Sequence, residues 1–282
     1  MKIAFNSLRL NSAQNNNKNV SNVISFRSKN ITETKVDLST FPEEKLIQIY
    51  GASNAIPTNL QTTKLNKALA LIKKNTPLEE VKTYLESIET HPTTKTLLQN
   101  TKTEDLSNTI KKMRDYANAE SISAYLAKNG YGVLTGSSVG IMEAANKGAK
   151  EHGGYSVGVA MNSLKDEQKS NSYLDELHVE PDWHKRIDKY NGRAKGPFTL
   201  VFPGGDGSIC ELWDKVVQNI LDSYKTGETP KKVVLVDKKF WAPMVKWLNS
   251  EPSERGYLRC INKNMIEMVD NLKGFKEIFP RL

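Results

Sequence analysis

The sequence predicts an α/β fold: a doubly wound parallel sheet with helices on both faces, plus a helical insertion after the first strand. Three observations carry this. From about Leu106 onward, short apolar runs alternate with longer stretches at helical spacing, the order of a parallel sheet covered on both faces. Three apolar runs, the first of them ahead of this alternation, stop at glycine-rich turns: Gly51-Ala52-Ser53, Gly136 to Gly140, and Pro203 to Ser208. Between the first run and the regular alternation, residues 58–112 carry helical spacing and no strand pattern.

Taken in order, Leu46 to Tyr50 is a short apolar strand. Thr76-Pro77-Leu78-Glu79 then reads as a capping box with proline at the first helical position, and Leu78, Val81, Leu85 and Ile88 follow at helical spacing. A helix from about Leu106 to Lys128 ends at Asn129-Gly130 and leads to a strand at Tyr131 to Thr135. The next helix runs from the second glycine turn to His152, and Tyr155 to Ala160 is a strand. After an irregular stretch come a helix at Asp182 to Arg193 and a buried strand at Phe198 to Phe202. Ser208 and Glu211 read as a second capping box opening a helix whose Leu212, Trp213, Val216, Val217, Ile220, Leu221 and Tyr224 share one stripe. Val233 to Val236, a helix near Phe240 to Leu248, a strand at Met265 to Val269 and a short last helix complete the pattern.

The apolar content of 38% in 282 residues suffices for one substantial core. Residues 1–42 read as a disordered tail and 43–282 as the folded domain, with 58–112 as its insertion. Of the net charge of +8, Lys2, Arg9, Lys18, Arg27 and Lys29 stand in the acid-free start, so the remainder is only mildly basic. Nucleic-acid binding is not expected. Cys210 and Cys260 are distant and form no CxxC, the four histidines lack metal-ligand spacing, and no apolar run reaches membrane-spanning length. The expectations are a cytoplasmic protein with no metal and no membrane partner.

A strand, a glycine-rich turn and a helix start form a ready anion site, because backbone N–H groups close on the oxyanion at the positive end of the helix dipole. Gly204, Gly205, Gly207 and Ser208 are therefore the candidate phosphate cradle. No Lys-Ser/Thr follows the glycines, which excludes the nucleoside-triphosphate loop. The G-x-G-x-x-C run lacks the third glycine of a dinucleotide site, which disfavours a nicotinamide-dependent dehydrogenase. In an open parallel sheet, ligands bind at the carboxyl edge, so the three turns are expected to converge there.

These residues resemble a family. Thr135-Gly136-Ser137-Ser138-Val139-Gly140-Ile141-Met142-Glu143-Ala144-Ala145-Asn146-Lys147-Gly148-Ala149 is similar to the T-G-G-G-P-G-I-M-E-A-A-N-x-G-A segment of the Lonely Guy (LOG) family. Pro203 to Glu211 resembles its P-G-G-x-G-T-x-x-E signature, Glu167 to Tyr173 its E-Q-x-x-N-x-Y segment, and Trp183-His184-Lys185-Arg186 its arginine-bearing helix. The resemblance implies a Rossmann-like homodimer without cofactor that hydrolyses the N-glycosidic bond of a nucleoside 5′-monophosphate, a cytokinin ribotide or an ordinary nucleotide. The products are free base and ribose 5-phosphate. A lysine decarboxylase label attached to such proteins would need pyridoxal phosphate on a Schiff-base lysine, and no lysine in the glycine motifs is placed for that.

By the same resemblance, Arg186 and Glu211 are the candidate catalytic pair. Glutamate in a first helical turn would be held ionised by the dipole, suiting it to stabilise an oxocarbenium-like state, hold ribose hydroxyls or polarise water rather than act as a general acid. Gly136, Ser137, Ser138 and Gly140 would form the opposite wall, with Glu143, Gly51 and Ser53 as further nucleotide contacts. Several positions depart from the family pattern. Ser137 and Ser138 replace glycines, Ser208 replaces threonine, Ile187 replaces a lysine, and Gly51-Ala52-Ser53-Asn54 lacks the arginine of G-S-A-R. A less basic anion site leaves a second reading, a non-catalytic nucleotide or cofactor carrier on the same fold.

Overall fold

A computed structural model describes residues 41–162, 169–258 and 265–280. Most of the expected tail, together with Cys260 and with Glu167 and Gln168 of the third family segment, lies outside the described residues. The element order is β1 (Leu46–Tyr50), α1 (Thr62–Lys73), α2 (Leu78–Ile88), α3 (Pro92–Asn100), α4 (Leu106–Lys128), β2 (Gly132–Thr135), α5 (Ile141–Lys150) and β3 (Ser156–Met161). There follow β4 (Glu176–Glu180), α6 (Trp183–Arg193), β5 (Phe198–Val201), α7 (Asp206–Thr226), β6 (Lys232–Val236), α8 (Lys238–Leu248), α9 (Glu251–Glu254), β7 (Ile266–Val269) and α10 (Leu272–Ile278).

The strands form one seven-stranded sheet in the order β4-β3-β2-β1-β5-β6-β7, parallel at every pairing. From β1 the chain winds outward through β2, β3 and β4, then returns to place β5, β6 and β7 on the other side. The order reverses between β1 and β5, so the carboxyl ends of these two strands open a crevice. Parallel strands buried on both faces need continuous apolar runs, and β1 and β5 are buried at every position. One face of the sheet is covered by α4, α5 and α10 through residues such as Ile122, Leu126, Ala145 and Phe275. The other face is covered by α6, α7 and α8 through Ile187, Tyr190, Leu212, Val216 and Trp241.

Helices α1 to α3 build a separate small core with the first half of α4, where Leu65, Val81, Leu85, Leu98 and Ile110 meet. Buried Glu89 closes its base, accepting from the Asn59, Thr90 and His91 N–H groups.

Four sequence expectations need correction. First, β4 was not expected. Its Leu177 and Val179 point outward (46% and 56% exposed), while Glu176, His178 and Glu180 are half-buried, so this edge strand lacks an inward apolar run. Arg193 makes that tolerable by pairing with Glu176 at 2.8 Å. Second, α2 has Pro77 at its N-cap and no capping side chain, so Thr76 does not cap it. Third, α7 starts two residues before Ser208 with Gly205 as N-cap, so Ser208 and Glu211 form no capping box. Fourth, the apolar stripe of α7 is divided. Leu212, Val216 and Ile220 are buried, whereas Val217, Leu221 and Tyr224 are exposed.

Candidate active site

The three glycine turns are tied together by backbone hydrogen bonds. The Ala52 N–H donates to the Pro203 carbonyl at 3.0 Å, and the Ile141 N–H donates to the Ala52 carbonyl at 3.0 Å. Each turn therefore braces the next at the carboxyl edge. Above the crevice lies a cleft of about 1260 Å³. Its lining includes Gly51 and Ser53 after β1, Pro203 to Ser208 and Glu211 after β5, Arg186 of α6, and Met142 of α5. The insertion supplies a further wall through Leu97, Asn100, Lys102 and the start of α4.

The first turn of α7 leaves backbone amides without helical partners. The Ile209 N–H donates to the Gly205 carbonyl at 3.0 Å, and the amides ahead of it are those a helix cannot satisfy internally. A Cβ at Gly205 or Gly207 would meet nothing within 4 Å, so the cleft reaches the backbone there. Gly204 is different: a Cβ would collide with the Ser208 hydroxyl, which packs against the turn. Ser208 is itself buried, and Asp206 is exposed.

Arg186 and Glu211 meet as a buried ion pair, Nη1 to Oε1 at 3.2 Å, each 7% exposed. The arginine is held by several contacts behind its cleft-facing side. Its Nε donates to the Val159 carbonyl at 2.9 Å, and its guanidinium lies 5.7 Å from the Trp183 ring and 5.2 Å from that of Tyr190. Asp182 starts this helix by accepting from the Lys185 N–H at 3.0 Å, which fixes the turn bearing Arg186. Glu211 falls in the second turn of α7, not the first. Burial pushes its carboxyl up to about 7, against the pull of Arg186. The expected support from the helix dipole is weaker than the sequence suggested, because Glu211 lies a turn deeper in α7 and desolvation there opposes ionisation.

The turn after β2 does not reach the cleft. Gly136, Ser137, Ser138 and Gly140 are buried, and none of them lines it. A Cβ on Gly136 would overlap the Arg186 guanidinium, and one on Gly140 would sit 2.5 Å from the Ala52 carbonyl oxygen. Ser137 holds a left-handed backbone (φ 72°), and its carbonyl accepts from both the N–H and the side-chain amide of Asn171 at 2.7 Å. Asn146 joins the network through Thr135 at 2.7 Å and Asn171 at 3.1 Å. Several letters of the Thr135 to Ala149 motif thus shape a brace behind the pair. Glu143, half-buried on the first turn of α5, also stands outside the cleft lining. Gly51 packs against Ile141, while Ser53 and Asn54 are exposed in the cleft wall. Ile187, standing for the family lysine, is buried against the sheet.

Sequence reasoning missed one cluster. Arg114 of α4 contacts both Asp115, at 3.4 Å, and Asp237, which follows β6. Asp115, Asp237 and the half-exposed Phe240 line the same cleft. Burial pushes the Asp115 carboxyl up to about 7, with the neighbouring Asp237 adding to the rise and Arg114 opposing it. The available signal was positional: Asp237 stands directly after a strand, at the edge where ligands bind. Among the described residues, no group of three or more His, Cys, Asp or Glu is arranged to hold a metal, and no helix is long and apolar enough to cross a membrane.

Residues 142–278 match a family model described as "possible lysine decarboxylase". A protein of Mycobacterium marinum described as cytokinin riboside 5′-monophosphate phosphoribohydrolase is 30% identical over 158 residues, which span 55% of this chain and 79% of that one. Among solved structures, the molybdenum cofactor binding protein of the phototrophic bacterium Rippkaea orientalis aligns with a TM-score of 0.44 at 18% identity, covering 59% of this chain and 86% of that one. The molybdenum cofactor carrier protein MCP of Chlamydomonas reinhardtii aligns over the same shares at a TM-score of 0.38 and 18% identity. With 30% identity over an alignment that spans 79% of the mycobacterial protein, the chain belongs to the LOG family.

Proposed function

We propose that this protein is a nucleotide phosphoribohydrolase, cleaving a nucleoside 5′-monophosphate into free base and ribose 5-phosphate. The observation that carries the reading is the buried Arg186–Glu211 pair, which shares a cleft with the exposed amides of the Gly205 turn. In this reading the 5′-phosphate sits on the first turn of α7, at Gly205, Gly207 and Ser208. Binding there spends remote interaction energy on orienting the sugar. As the C1′–N bond breaks, positive charge grows on the ribose, and the Glu211 carboxylate stabilises it and polarises the incoming water. Arg186 keeps that carboxylate aimed, its other contacts leaving it no alternative rotamer without cost. The water adds to C1′, and its proton leaves with the departing base.

Base release is the test. The full chain is incubated with a panel of nucleoside monophosphates, isopentenyladenosine monophosphate included, and the free base is assayed. Release that falls at least about 100-fold in Glu211→Gln supports hydrolysis. Tight binding without turnover supports the carrier reading instead, which the missing arginine at Asn54 and lysine at Ile187 favour. Nucleosides without the 5′-phosphate are expected to react poorly. The homodimer implied by the resemblance belongs to the same proposal; the exposed Val217, Leu221 and Tyr224 of α7 offer apolar surface for it, and light scattering measures the mass.

A further inference from the structure

The Arg186–Glu211 contact uses only part of what each group can offer. Nη1 reaches Oε1 at 3.2 Å, and Nε is spent on the Val159 carbonyl at 2.9 Å. Among the described residues, Nη2 donates to no group and Oε2 of Glu211 accepts from none. A guanidinium and a carboxylate serving only to tie two helices together would meet fork to fork, through two parallel hydrogen bonds. This pair meets at one corner.

Beside it stands Tyr190, one turn after Arg186 on α6. The residue is 1% exposed, and its hydroxyl is sealed from solvent with no hydrogen-bond partner among the described residues. A buried hydroxyl left unpaired costs its full desolvation, so its retention here asks for a partner gained at another stage. The hollow over Gly136 supplies one. A Cβ there would overlap Arg186 Nη2 and lie 3.0 Å from the Tyr190 hydroxyl oxygen, so the two groups face each other across one small space. Tyr190 itself is fixed: its carbonyl accepts from Gln48 Nε2 at 2.7 Å, and its ring packs edge to face on Tyr50, with centroids 5.5 Å apart. The guanidinium can move, by tipping about the hydrogen bond from Nε to Val159.

Resting on the hydrolase reading of this cleft, we propose that Tyr190 is a positioning residue whose hydroxyl accepts from Arg186 Nη2 when Glu211 turns to the substrate. In the resting protein the guanidinium sits on Glu211. Once a bound sugar or water engages the carboxylate, the guanidinium tips into the Gly136 hollow and docks on Tyr190. Glu211 is then free to face C1′. No covalent bond changes in this step, and no proton moves. The titratable and charged groups that face Glu211 are Arg186 and Tyr190 from α6 and Tyr50 from β1. Burial, and after it the Glu211 charge, push both phenols up, so neither ionises in the range where Glu211 titrates.

Tyr190→Phe removes the hydroxyl and keeps the ring. In the full chain its denaturant midpoint is expected to equal or exceed that of the parent, because an unpaired buried group is lost. With whichever nucleoside monophosphate releases base, kcat should fall about tenfold while KM stays unchanged. The rising limb of the kcat profile should also move to lower pH by about half a unit, because Glu211 stays on Arg186 in the complex. The limb of kcat/KM, which reports the free protein, should stay in place. A readout without turnover uses ribose 5-phosphate. Calorimetry follows its binding, and side-chain NMR follows hydrogen exchange at Arg186 Nη, assigned by its loss in Arg186→Lys. Bound ribose 5-phosphate should slow that exchange at least about fivefold in the parent and leave it unchanged in Tyr190→Phe. Parental kcat in Tyr190→Phe, a midpoint that falls together with kcat, or parental exchange unaltered by bound ribose 5-phosphate overturns the positioning role. Absence of base release from every nucleotide, with the slowed exchange still seen, overturns hydrolysis alone. If base is not released and ribose 5-phosphate does not bind, both fall.

Discussion

The turn after β2 and the turn after β5 carry similar letters, glycines and serines between a strand and a helix, yet they face opposite ways. Around Gly136 the space a side chain would fill is occupied by the Arg186 guanidinium, and Ser137 and Ser138 are each 1% exposed. Around Gly205 and Gly207 the same space is open cleft. Glycine reports that something approaches the backbone closely. It does not say whether the visitor is a ligand or part of the protein.

The largest effect expected from breaking this comparison comes from Gly136→Ala. The new methyl group must displace the guanidinium, and a catalytic group moved by about 1 Å can cost on the order of 100-fold in rate. We expect kcat to fall by about that factor with KM little changed, because the phosphate turn is untouched. Steady-state kinetics on nucleotide hydrolysis reads both. A normal kcat would mean that Arg186 has no role that depends on its placement.

A second effect concerns the carboxylate that Arg186 holds. Burial raises Glu211 to about 7 from its ordinary value of 4.5, so its ionised form accumulates only as pH approaches and passes neutrality. If the ionised form performs the reaction, kcat/KM should climb about tenfold per unit below about pH 7 and level off above it. Stability should run the other way. A carboxyl whose folded-state value is raised favours the fold fully below 4.5 and loses that contribution as pH rises through about 7. Glu211→Gln should flatten that part of the stability profile, which denaturant titrations at a series of pH values would show.

Legibility of the sequence divides along the same line. The parallel sheet was readable because β1, β5 and β6 are near-continuous apolar runs ending at sharp turns, a pattern that follows from burial on both faces. Strand β4 was not, since an edge strand with Glu176, His178 and Glu180 turned inward satisfies them through Arg193 and neighbouring groups rather than through an apolar pattern. The Arg186–Glu211 pairing was anticipated only through resemblance, since its members stand 25 positions apart on two different helices with β5 between them. Asp115 and Asp237 left no local mark at all. Their proximity depends on α4 and β6 converging from distant parts of the chain through Arg114, which no spacing rule reports. The turn after β2 misled for a related reason: the partners that bury it, Asn171 and Tyr190, come from elsewhere in the chain.

A smaller effect is expected from Gly205→Ala. Nothing in the protein obstructs the methyl group, so thermal stability should stay within about 0.5 kcal/mol of the parent. Any loss must then come from the ligand side, where a methyl group holds the phosphate away from the amides. A rise of about tenfold in KM, with kcat retained, would mark the turn as the phosphate seat. An unchanged KM would move that seat elsewhere in the cleft.

The finest test is Gly207→Ala, because it should change stability and binding in opposite directions. Gly207 lies inside the first turn of α7 with no atom near its missing Cβ. Alanine is the better helix former there by about 0.5–1 kcal/mol, so the variant should unfold at a higher denaturant midpoint. The same methyl group would project toward the space assigned to the phosphate, and nucleotide affinity should drop several-fold. Gly136→Ala offers no such split, since its collision is with the protein itself and exists with or without ligand. A gain in stability paired with weaker binding would therefore identify Gly207 as a position kept open for a guest, and a gain without weaker binding would reduce it to an unfilled helix site.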